Sequence, residues 1–265
     1  MNEGLRIAID PRGVATLSLD RPQLHNAFDA RLIKDLHDAF TRLGEDQGVR
    51  VVVVRGEGRS FSAGADLTWM REAAGWTREE NEADAAHLSD MLQAFNACPK
   101  PTLALVHGAA YGGGVGLVAC ADIALGLADA TFAFSEVRLG LIPATIAPYV
   151  LAAIGTRAAR RYFLTGERFD ARTALAIGLL HEVLETPETL AAAGDKVVKA
   201  LLAGGPHALA DAKALIADVA DKPIDLPLRR ETARRIAQHR VSAEGQEGLA
   251  AFFAKRKPAW APKDG

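Results

Sequence analysis

Residues 102–143 have the sequence TLALVHGAAYGGGVGLVACADIALGLADATFAFSEVRLGLIP, in which two apolar runs flank a cluster of glycines at 112–116. The cluster predicts a turn between a strand and the start of a helix, because glycine accepts positive φ and lets another molecule approach the main chain closely. The first N–H groups of a helix have no internal partner and lie at the positive end of its dipole. The stretch therefore predicts a backbone site for an anion or a developing oxyanion.

Glu136 lies in the same stretch, with no other acid between Asp129 and Glu167. Its neighbours are mostly apolar, and burial of a carboxyl group raises its pKa toward the range useful for proton transfer. The position also fits an exposed carboxylate at the end of a strand, paired with Arg138. Composition alone does not separate these two interpretations.

The composition predicts a globular protein of the cell interior. At 265 residues the chain can bury most of its surface in one large domain. A net charge of -2 gives no overall positive potential that would attract the phosphates of a nucleic acid, so we expect no such partner. Cys98 and Cys120 show no pairing pattern, the histidines show no metal spacing, and the first residues resemble no secretory signal, so we expect a cytoplasmic protein without a metal site.

Residues 102–121 contain no Asp, Glu, Lys or Arg and are as long as a transmembrane helix. The segment HGAAYGGG at 107–114 would break such a helix. We therefore expect no membrane span.

Strands and helices alternate in the sequence pattern up to residue 184. The predicted elements are strands over 5–9 and 14–19, a helix capped by Asn26 or Asp29, a strand over 51–54 covered on both faces, a mobile loop or short helix over 71–84, a helix over 85–97, a strand over 103–106, a helical region over 146–164, a helix from Asp170 to Ile177 and a strand over 179–184. Beyond Thr189 the pattern is helical, with breaks at 204–206 and near Pro223 and Pro227. This order predicts an α/β core with a helical carboxy-terminal part.

A dinucleotide site is one alternative, because residues 114–119 fit G-x-G-x-x-A and Glu136 lies twenty positions after Gly116. Against it, the preceding strand ends near Val106, several residues before the glycines, and the tail offers no further βα units. A phosphate-binding loop would need Gly-Lys-Ser or Gly-Lys-Thr, and a serine hydrolase would need G-x-S-x-G; the sequence contains neither.

A second glycine turn, GEGRSFSAGADLTWM, occupies residues 56–70. Two separated glycine turns and one acid predict an oxyanion hole made of two backbone N–H groups, with a carboxylate that moves protons beside it.

Four motifs in this order resemble the crotonase, or enoyl-CoA hydratase/isomerase, superfamily: FSAGADL at 61–67, HGAAYGGGVGL at 107–117, SEVRLGLIP at 135–143 and EGQEGLAAFFAKRKPAW at 244–260. The resemblance covers nearly the whole chain. It implies an α/β fold with a crotonase-like ββα spiral core over 1–200 and a helical trimerisation region over 201–265. It also implies a homo-oligomer, either a trimer or a dimer of trimers.

The resemblance implies that an acyl-CoA thioester is the substrate. The N–H groups of Ala65 and Gly113 would hold its carbonyl oxygen in an enolate-forming reaction, and Glu136 would exchange protons. Coenzyme A belongs to the substrate, and no separate cofactor is implied.

Further residues are implied to contact the substrate. Those near coenzyme A are His25, Ala63, Asp66, Leu67 and Gly112, and Phe252 and Lys255 would reach the nucleotide bound to a neighbouring subunit. The candidates near the acyl chain are Trp69, Met70, Tyr111, Gly116, Ile142 and Tyr149. Arg138 would meet a distal carboxylate of the substrate if its side chain points inward.

The chain departs from the family pattern at two places. Gly116 stands where typical hydratases have a first glutamate, and residues 144–149 replace the usual glycine-rich run. With these departures the chain resembles a bacterial branch of the superfamily that contains methylglutaconyl-CoA and isohexenylglutaconyl-CoA hydratases. This resemblance implies syn addition of water to a branched 2-enoyl-CoA.

Isomerases of the superfamily often keep only the second acid, so double-bond isomerisation is the alternative. A non-catalytic binding protein is a third possibility: the acidic composition disfavours one that binds RNA, and the retained Glu136 disfavours an inactive enzyme.

Overall fold

The computed structural model describes residues 4–261, which form a mixed α/β fold with a helical carboxy-terminal region. Residues 1–3 and 262–265, at the ends of the two predicted regions, lie outside the described residues. The predicted boundary near residue 200 falls inside a helix, Pro187–Ala203, and the division into two regions stays a prediction.

The strands of the described chain are β1 (Leu5–Ile9), β2 (Val14–Leu19), β3 (Val51–Gly56), β4 (Ser60–Ser62), β5 (Thr102–Val106), β6 (Ala109–Tyr111), β7 (Ile123–Leu127), β8 (Thr131–Ala133), β9 (Phe169–Asp170) and β10 (Glu182–Leu184). The helices are α1 (Ala30–Glu45), α2 (Leu67–Ala73), α3 (Arg78–Asn96), α4 (Gly113–Cys120), α5 (Ala147–Thr165), α6 (Ala171–Ala176), α7 (Pro187–Ala203), α8 (Pro206–Val219), α9 (Leu226–Val241) and α10 (Ala243–Phe253).

The larger sheet has six strands in the order β1-β2-β3-β5-β7-β10. Only the β1–β2 hairpin is antiparallel, and the other neighbours pair in parallel. Side chains alternate across β3, so Val52 and Val54 join the main core while Val51 and Val53 pack under α7. The prediction of a strand covered on both faces is confirmed, and this layering explains the unbroken valine run.

The smaller sheet has four strands in the order β4-β6-β8-β9. The strands β4, β6 and β8 are parallel, so their carboxyl ends lie along one edge. The two glycine turns follow β4 and β6 directly. This short sheet therefore brings two turns that are distant in sequence to the same edge.

Several predicted elements are confirmed, including the hairpin, the α1 helix with Asp29 as its cap, and the α6 helix with Asp170 as its cap. Of the two structures predicted over 71–84, a mobile loop or a short helix, the loop is wrong in the second half, where α3 is helical. Helix α3 begins at Arg78, because Thr77 and Glu80 form a reciprocal capping box that starts a helix in a polar segment. The last strand is shorter than predicted, and Pro227 lies in the first turn of α9, where proline is tolerated.

The apolar stretch at 102–121 is divided among β5, β6 and α4. No helix within residues 4–261 combines the length and hydropathy needed to cross a bilayer.

Candidate active site

The first bend follows β4 and contains Gly64 and Ala65. The C=O of Gly64 accepts a hydrogen bond from the Phe28 N–H at 2.7 Å, and the Asp66 N–H donates to the Phe28 C=O at 2.8 Å. The N–H of a trans peptide points opposite to the C=O of the same unit. The Ala65 N–H therefore points away from Phe28, and it has no acceptor within residues 4–261.

The second bend follows β6, where Gly112 has φ 48° and ψ -117° and precedes α4. Gly112 C=O accepts the first bond of the helix from the Gly116 N–H at 3.1 Å. The N–H of Gly113, the first helical residue, is one of the donors that a helix start leaves without a partner. Within the described chain this N–H also has no acceptor.

The two bends are in contact. A Cβ atom built on Gly64 would lie 2.7 Å from the Tyr111 carbonyl oxygen and 3.5 Å from the Gly113 nitrogen. A Cβ on Gly113 would in turn lie 3.2 Å from the ring of Phe28, whose main chain holds the first bend. The bends that carry these two N–H groups, each without an acceptor in the described chain, are thus in contact.

The carboxyl group of Glu136 lies beside the second bend. Glu136 begins a 3-10 turn, Glu136–Leu139, and its Oε1 would be 2.9 Å from a Cβ on Gly112. Its Oε2 is buried and has no hydrogen-bond partner in the described chain. Burial raises the pKa of this carboxyl above its ordinary value, against a weaker lowering by a backbone hydrogen bond. The prediction of a partly desolvated acid is confirmed, whereas pairing with Arg138 does not occur.

Gly116 lies on the first turns of α4 with no space for a side chain. A Cβ there would be 2.3 Å from Cγ2 and 2.9 Å from Cβ of Ile146. Ile146 is 1% exposed and immediately precedes α5. The two departures from the family pattern, the glycine at 116 and the altered segment 144–149, therefore pack against each other through Gly116 and Ile146.

Asn26 is a site residue that the sequence analysis did not select. It is fully buried, its Oδ1 accepts from the Arg21 N–H at 2.9 Å, and its Nδ2 donates to the carbonyls of Glu57 at 2.9 Å and Ser60 at 2.7 Å. The Asn26 carbonyl accepts from Ser62 Oγ at 2.9 Å. In the sequence this residue is an amide in the segment RPQLHNAF at 21–28, between β2 and α1.

The residues expected near coenzyme A surround the first bend. The imidazole Nδ1 of His25 is 3.0 Å from Ser60 Oγ, and the His25 carbonyl accepts from the Ala63 N–H at 2.9 Å. Asp66 caps α2 through the N–H groups of Thr68 and Trp69. Leu67, the first residue of α2, is 77% exposed, which leaves it free to contact a ligand.

The candidates for the acyl pocket do not all point one way. Trp69 packs on the main core, and its indole N–H forms no hydrogen bond of standard geometry within residues 4–261. Tyr111 points across the small sheet, with its hydroxyl 3.1 Å from Thr131 Oγ1 and its ring under Arg168.

The other acyl-pocket candidates differ in their exposure and contacts. The Tyr149 hydroxyl donates to Gln93 Oε1 at 3.2 Å, and Ile142 is 73% exposed. Met70 is half-buried.

Arg138 is turned away from the second bend. A Cβ on Gly166, at the end of α5, would lie 3.1 Å from its Nε, and its charge contributes to lowering the pKa of Glu167. The structure therefore does not bring this guanidinium to Glu136. In the tail, Phe252 is 77% exposed and Lys255 is exposed with φ 51°.

Within residues 4–261 no group of three or more His, Cys, Asp or Glu side chains is arranged to hold a metal ion.

The chain is similar to known proteins over almost its full length. A family model described as enoyl-CoA hydratase/isomerase matches residues 10–263. The crystal structure of an enoyl-CoA hydratase from Shewanella pealeana superposes with a TM-score of 0.94 at 44% identity, covering 97% of this chain and 96% of that one.

Two curated relatives carry different activities in their names. An enoyl-CoA hydratase of Alternaria alternata is 33% identical over 246 residues, covering 91% of this chain and 78% of the relative. A mitochondrial Delta(3,5)-Delta(2,4)-dienoyl-CoA isomerase of Dictyostelium discoideum is 31% identical over 259 residues, covering 94% and 88%.

Proposed function

The chain belongs to the enoyl-CoA hydratase/isomerase family, and on this premise we propose that it adds water syn across the 2,3 double bond of an enoyl-CoA thioester. The observation that most supports this proposal is the position of Glu136, a half-buried carboxyl whose Oε2 has no partner within residues 4–261, beside the bend that carries the Gly113 N–H. The arrangement combines a proton-transfer group with donors for a developing negative charge.

In the proposed reaction the N–H groups of Ala65 and Gly113 donate to the thioester oxygen. Glu136 accepts a proton from water as the water oxygen bonds to C3, and the electrons of the double bond move onto the thioester oxygen as an enolate. Protonation of C2 by Glu136 re-forms the carbonyl and returns the carboxylate. The net change is addition of one water molecule without oxidation or reduction, so we propose no cofactor beyond the coenzyme A of the substrate.

The narrower proposal is a branched substrate, such as the thioester of 3-methylglutaconate or isohexenylglutaconate. It is supported by the motifs FSAGADLTWM at 61–70 and SEVRLGLIPA at 135–144 and by the glycine at 116. In such a substrate a second carboxylate lies near the reacting carbons, where it would supply a polar group that Gly116 lacks.

Isomerisation is the second candidate, and the packing of Ile146 against Gly116 favours it. This packing leaves Glu136 as the acid beside the second bend, and one acid suffices to move a proton between two carbons. A relative named as a dienoyl-CoA isomerase is consistent with this alternative.

The proposal is tested with purified protein and three thioesters: crotonyl-CoA, a 3-enoyl-CoA and 3-methylglutaconyl-CoA. Hydration removes the conjugated thioester absorbance, whereas isomerisation of the 3-enoyl substrate creates it. We expect absorbance to fall fastest with 3-methylglutaconyl-CoA and Glu136→Gln to reduce kcat by about 100-fold or more. Gain of absorbance with the 3-enoyl substrate alone would establish the isomerase, and a Glu136→Gln variant with wild-type hydration would refute the role of Glu136.

We also propose that the protein is a cytoplasmic homo-oligomer, a trimer or a dimer of trimers, and that Phe252 and Lys255 reach the nucleotide of a neighbouring subunit. Both cysteines are buried and free, as expected in a reducing compartment. The exposed apolar side chains of the tail support self-association.

A further inference from the structure

We infer that Asn26 is a positioning residue, whose buried amide fixes the bend that presents the Ala65 N–H to the substrate. The inference rests on the proposed function, in which this N–H donates to the thioester oxygen. Asn26 itself touches neither the substrate nor the reacting atoms in this role.

Both polar atoms of the Asn26 amide are hydrogen-bonded. Both hydrogens of Nδ2 are donated to main-chain carbonyls, of Glu57 and Ser60, and Oδ1 accepts from the Arg21 N–H. A flipped amide would place an oxygen against two carbonyl oxygens, so the environment selects one orientation. Asn26 thereby ties the segment before α1 to β4 and to the loop that precedes β4.

The main chain of Asn26 is connected to the bend through Ser62. Ser62 Oγ donates to the Asn26 carbonyl at 2.9 Å and accepts from the Gly64 N–H at 3.3 Å. The neighbouring His25 carbonyl accepts from the Ala63 N–H at 2.9 Å. Phe28 then holds the far side of the bend through the Gly64 carbonyl and the Asp66 N–H. The position of the Ala65 N–H is thus set by residues 25–28.

Residues 25–28 need the Asn26 side chain to keep their shape. His25 and Asn26 both have left-handed backbone conformations, with φ of 51° and 54°. Two successive non-glycine residues in this region are unfavourable, although asparagine accepts it more readily than most residues. The three hydrogen bonds of the amide offset this strain.

Loss of the amide should therefore move a donor rather than remove a substrate contact. A displacement of about 1 Å in a catalytic group can reduce turnover by about 100-fold. Contacts with the coenzyme A portion would remain, so kcat should fall much more than KM rises.

The test uses two variants and one matched control. Asn26→Asp keeps the shape and the acceptor for Arg21 but loses the donors to Glu57 and Ser60. Asn26→Gly removes the side chain and relieves the φ strain. Thr102→Val is the control, because Thr102, at the start of β5, is equally buried and its hydroxyl forms two hydrogen bonds with Asp122.

Two quantities are measured besides thermal stability. The first is kcat and KM with the best enoyl-CoA. The second is the red shift that a conjugated aromatic enoyl thioester undergoes when bound donors polarise its carbonyl. We expect both Asn26 variants to lose about 100-fold in kcat and most of the red shift. Thr102→Val should keep both at a similar loss of stability.

Wild-type kcat and red shift in Asn26→Gly would overturn the inference, as would a loss of kcat that only follows the loss of stability seen in Thr102→Val. If Asn26→Gly does not fold, the same two measurements on Asn26→Asp decide the question. Failure of the proposed function gives a different result: the wild-type protein itself would neither turn over an enoyl thioester nor shift the aromatic band.

Discussion

Glu136 combines two opposing requirements in one side chain. A buried carboxyl without a partner for Oε2 is unfavourable when charged, because burial removes its hydration. The same loss of hydration raises its pKa and makes it a better proton donor and acceptor near neutral pH. The burial that suits Glu136 to proton transfer therefore also destabilises its charged form.

This conflict predicts a pH-dependent stability difference between the wild type and Glu136→Gln. Because the folded-state pKa is raised above the ordinary value of 4.5, the native state binds more protons than the unfolded state between the two values. Wild-type stability therefore falls as pH rises through this window, and the contribution of the glutamine is independent of pH.

We expect the free energy of unfolding of Glu136→Gln, minus that of the wild type, to be constant below pH 4.5 and to increase above it, reaching a plateau above the folded-state pKa. Urea unfolding at a series of pH values measures this difference. A difference that is the same at all pH values would contradict the raised pKa.

Gly112 shapes the second bend and leaves room for the Glu136 carboxyl, and these two effects can be separated. It has a backbone conformation that L side chains rarely adopt, and a Cβ on it would lie 2.9 Å from Glu136 Oε1. Gly155 in α5 has a comparable φ of 70° but open space around its Cβ position.

We expect Gly112→Ala and Gly155→Ala each to lose about 1–3 kcal/mol of stability from backbone strain. Only Gly112→Ala should also lose kcat, because its methyl group displaces the Glu136 carboxyl. Thermal unfolding and steady-state kinetics on both variants test this expectation, and equal kcat values for the two would contradict it.

The contact between α4 and the start of α5 leaves no space for a side chain at position 116. Ile146 lies where a side chain at position 116 would begin, so α4 can approach α5 only with glycine there. Gly116 and Ile146 should therefore be coupled energetically rather than independent.

A double-mutant cycle measures this coupling. Ile146→Ala alone should lose about 2–5 kcal/mol by leaving a cavity, and Gly116→Ala alone about 1–3 kcal/mol by overpacking. In the Ile146→Ala background the overlap with Cγ2 is removed, but a Cβ on residue 116 would still lie 2.9 Å from the Cβ of residue 146. We therefore expect Gly116→Ala to lose less stability in that background than in the wild type, as measured by urea unfolding; additive losses would show that the two residues are independent.

The sequence could predict the elements whose signals are local. The valine run at 51–54, the cap at Asp29 and the glycine turns were found because propensity and spacing act within a few residues. The strands β4, β6 and β8 have three residues each, too few for a periodicity, although they align the two bends. The directions of Arg138 and Tyr111, and the contact of Ile146 with Gly116, depend on packing between distant segments and were not predictable.

Buried and exposed apolar side chains are distributed unevenly between the core and the tail helices. The sheets, with α1 and α3–α7, enclose two buried clusters, whereas α8 and α9 contain no fully buried residue and α10 contains only Ala251. Large apolar side chains are exposed along this tail: Ile216 69%, Ile236 53%, Val241 78%, Phe252 77% and Phe253 76%. Such a surface is typical of a helical region that is buried on association.

The tail should therefore be the surface through which subunits associate. Burying one large apolar side chain contributes about 1.5–3 kcal/mol, so several of them are sufficient to stabilise an oligomer. We expect the wild-type protein to sediment as a trimer or hexamer and the double variant Val241→Glu/Phe253→Glu to sediment as a monomer. Leu164→Glu, which changes a side chain of 76% exposure at the end of α5, is the matched control and should keep the wild-type mass. A monomeric wild type would refute self-association, and an oligomeric double variant would place the interface elsewhere.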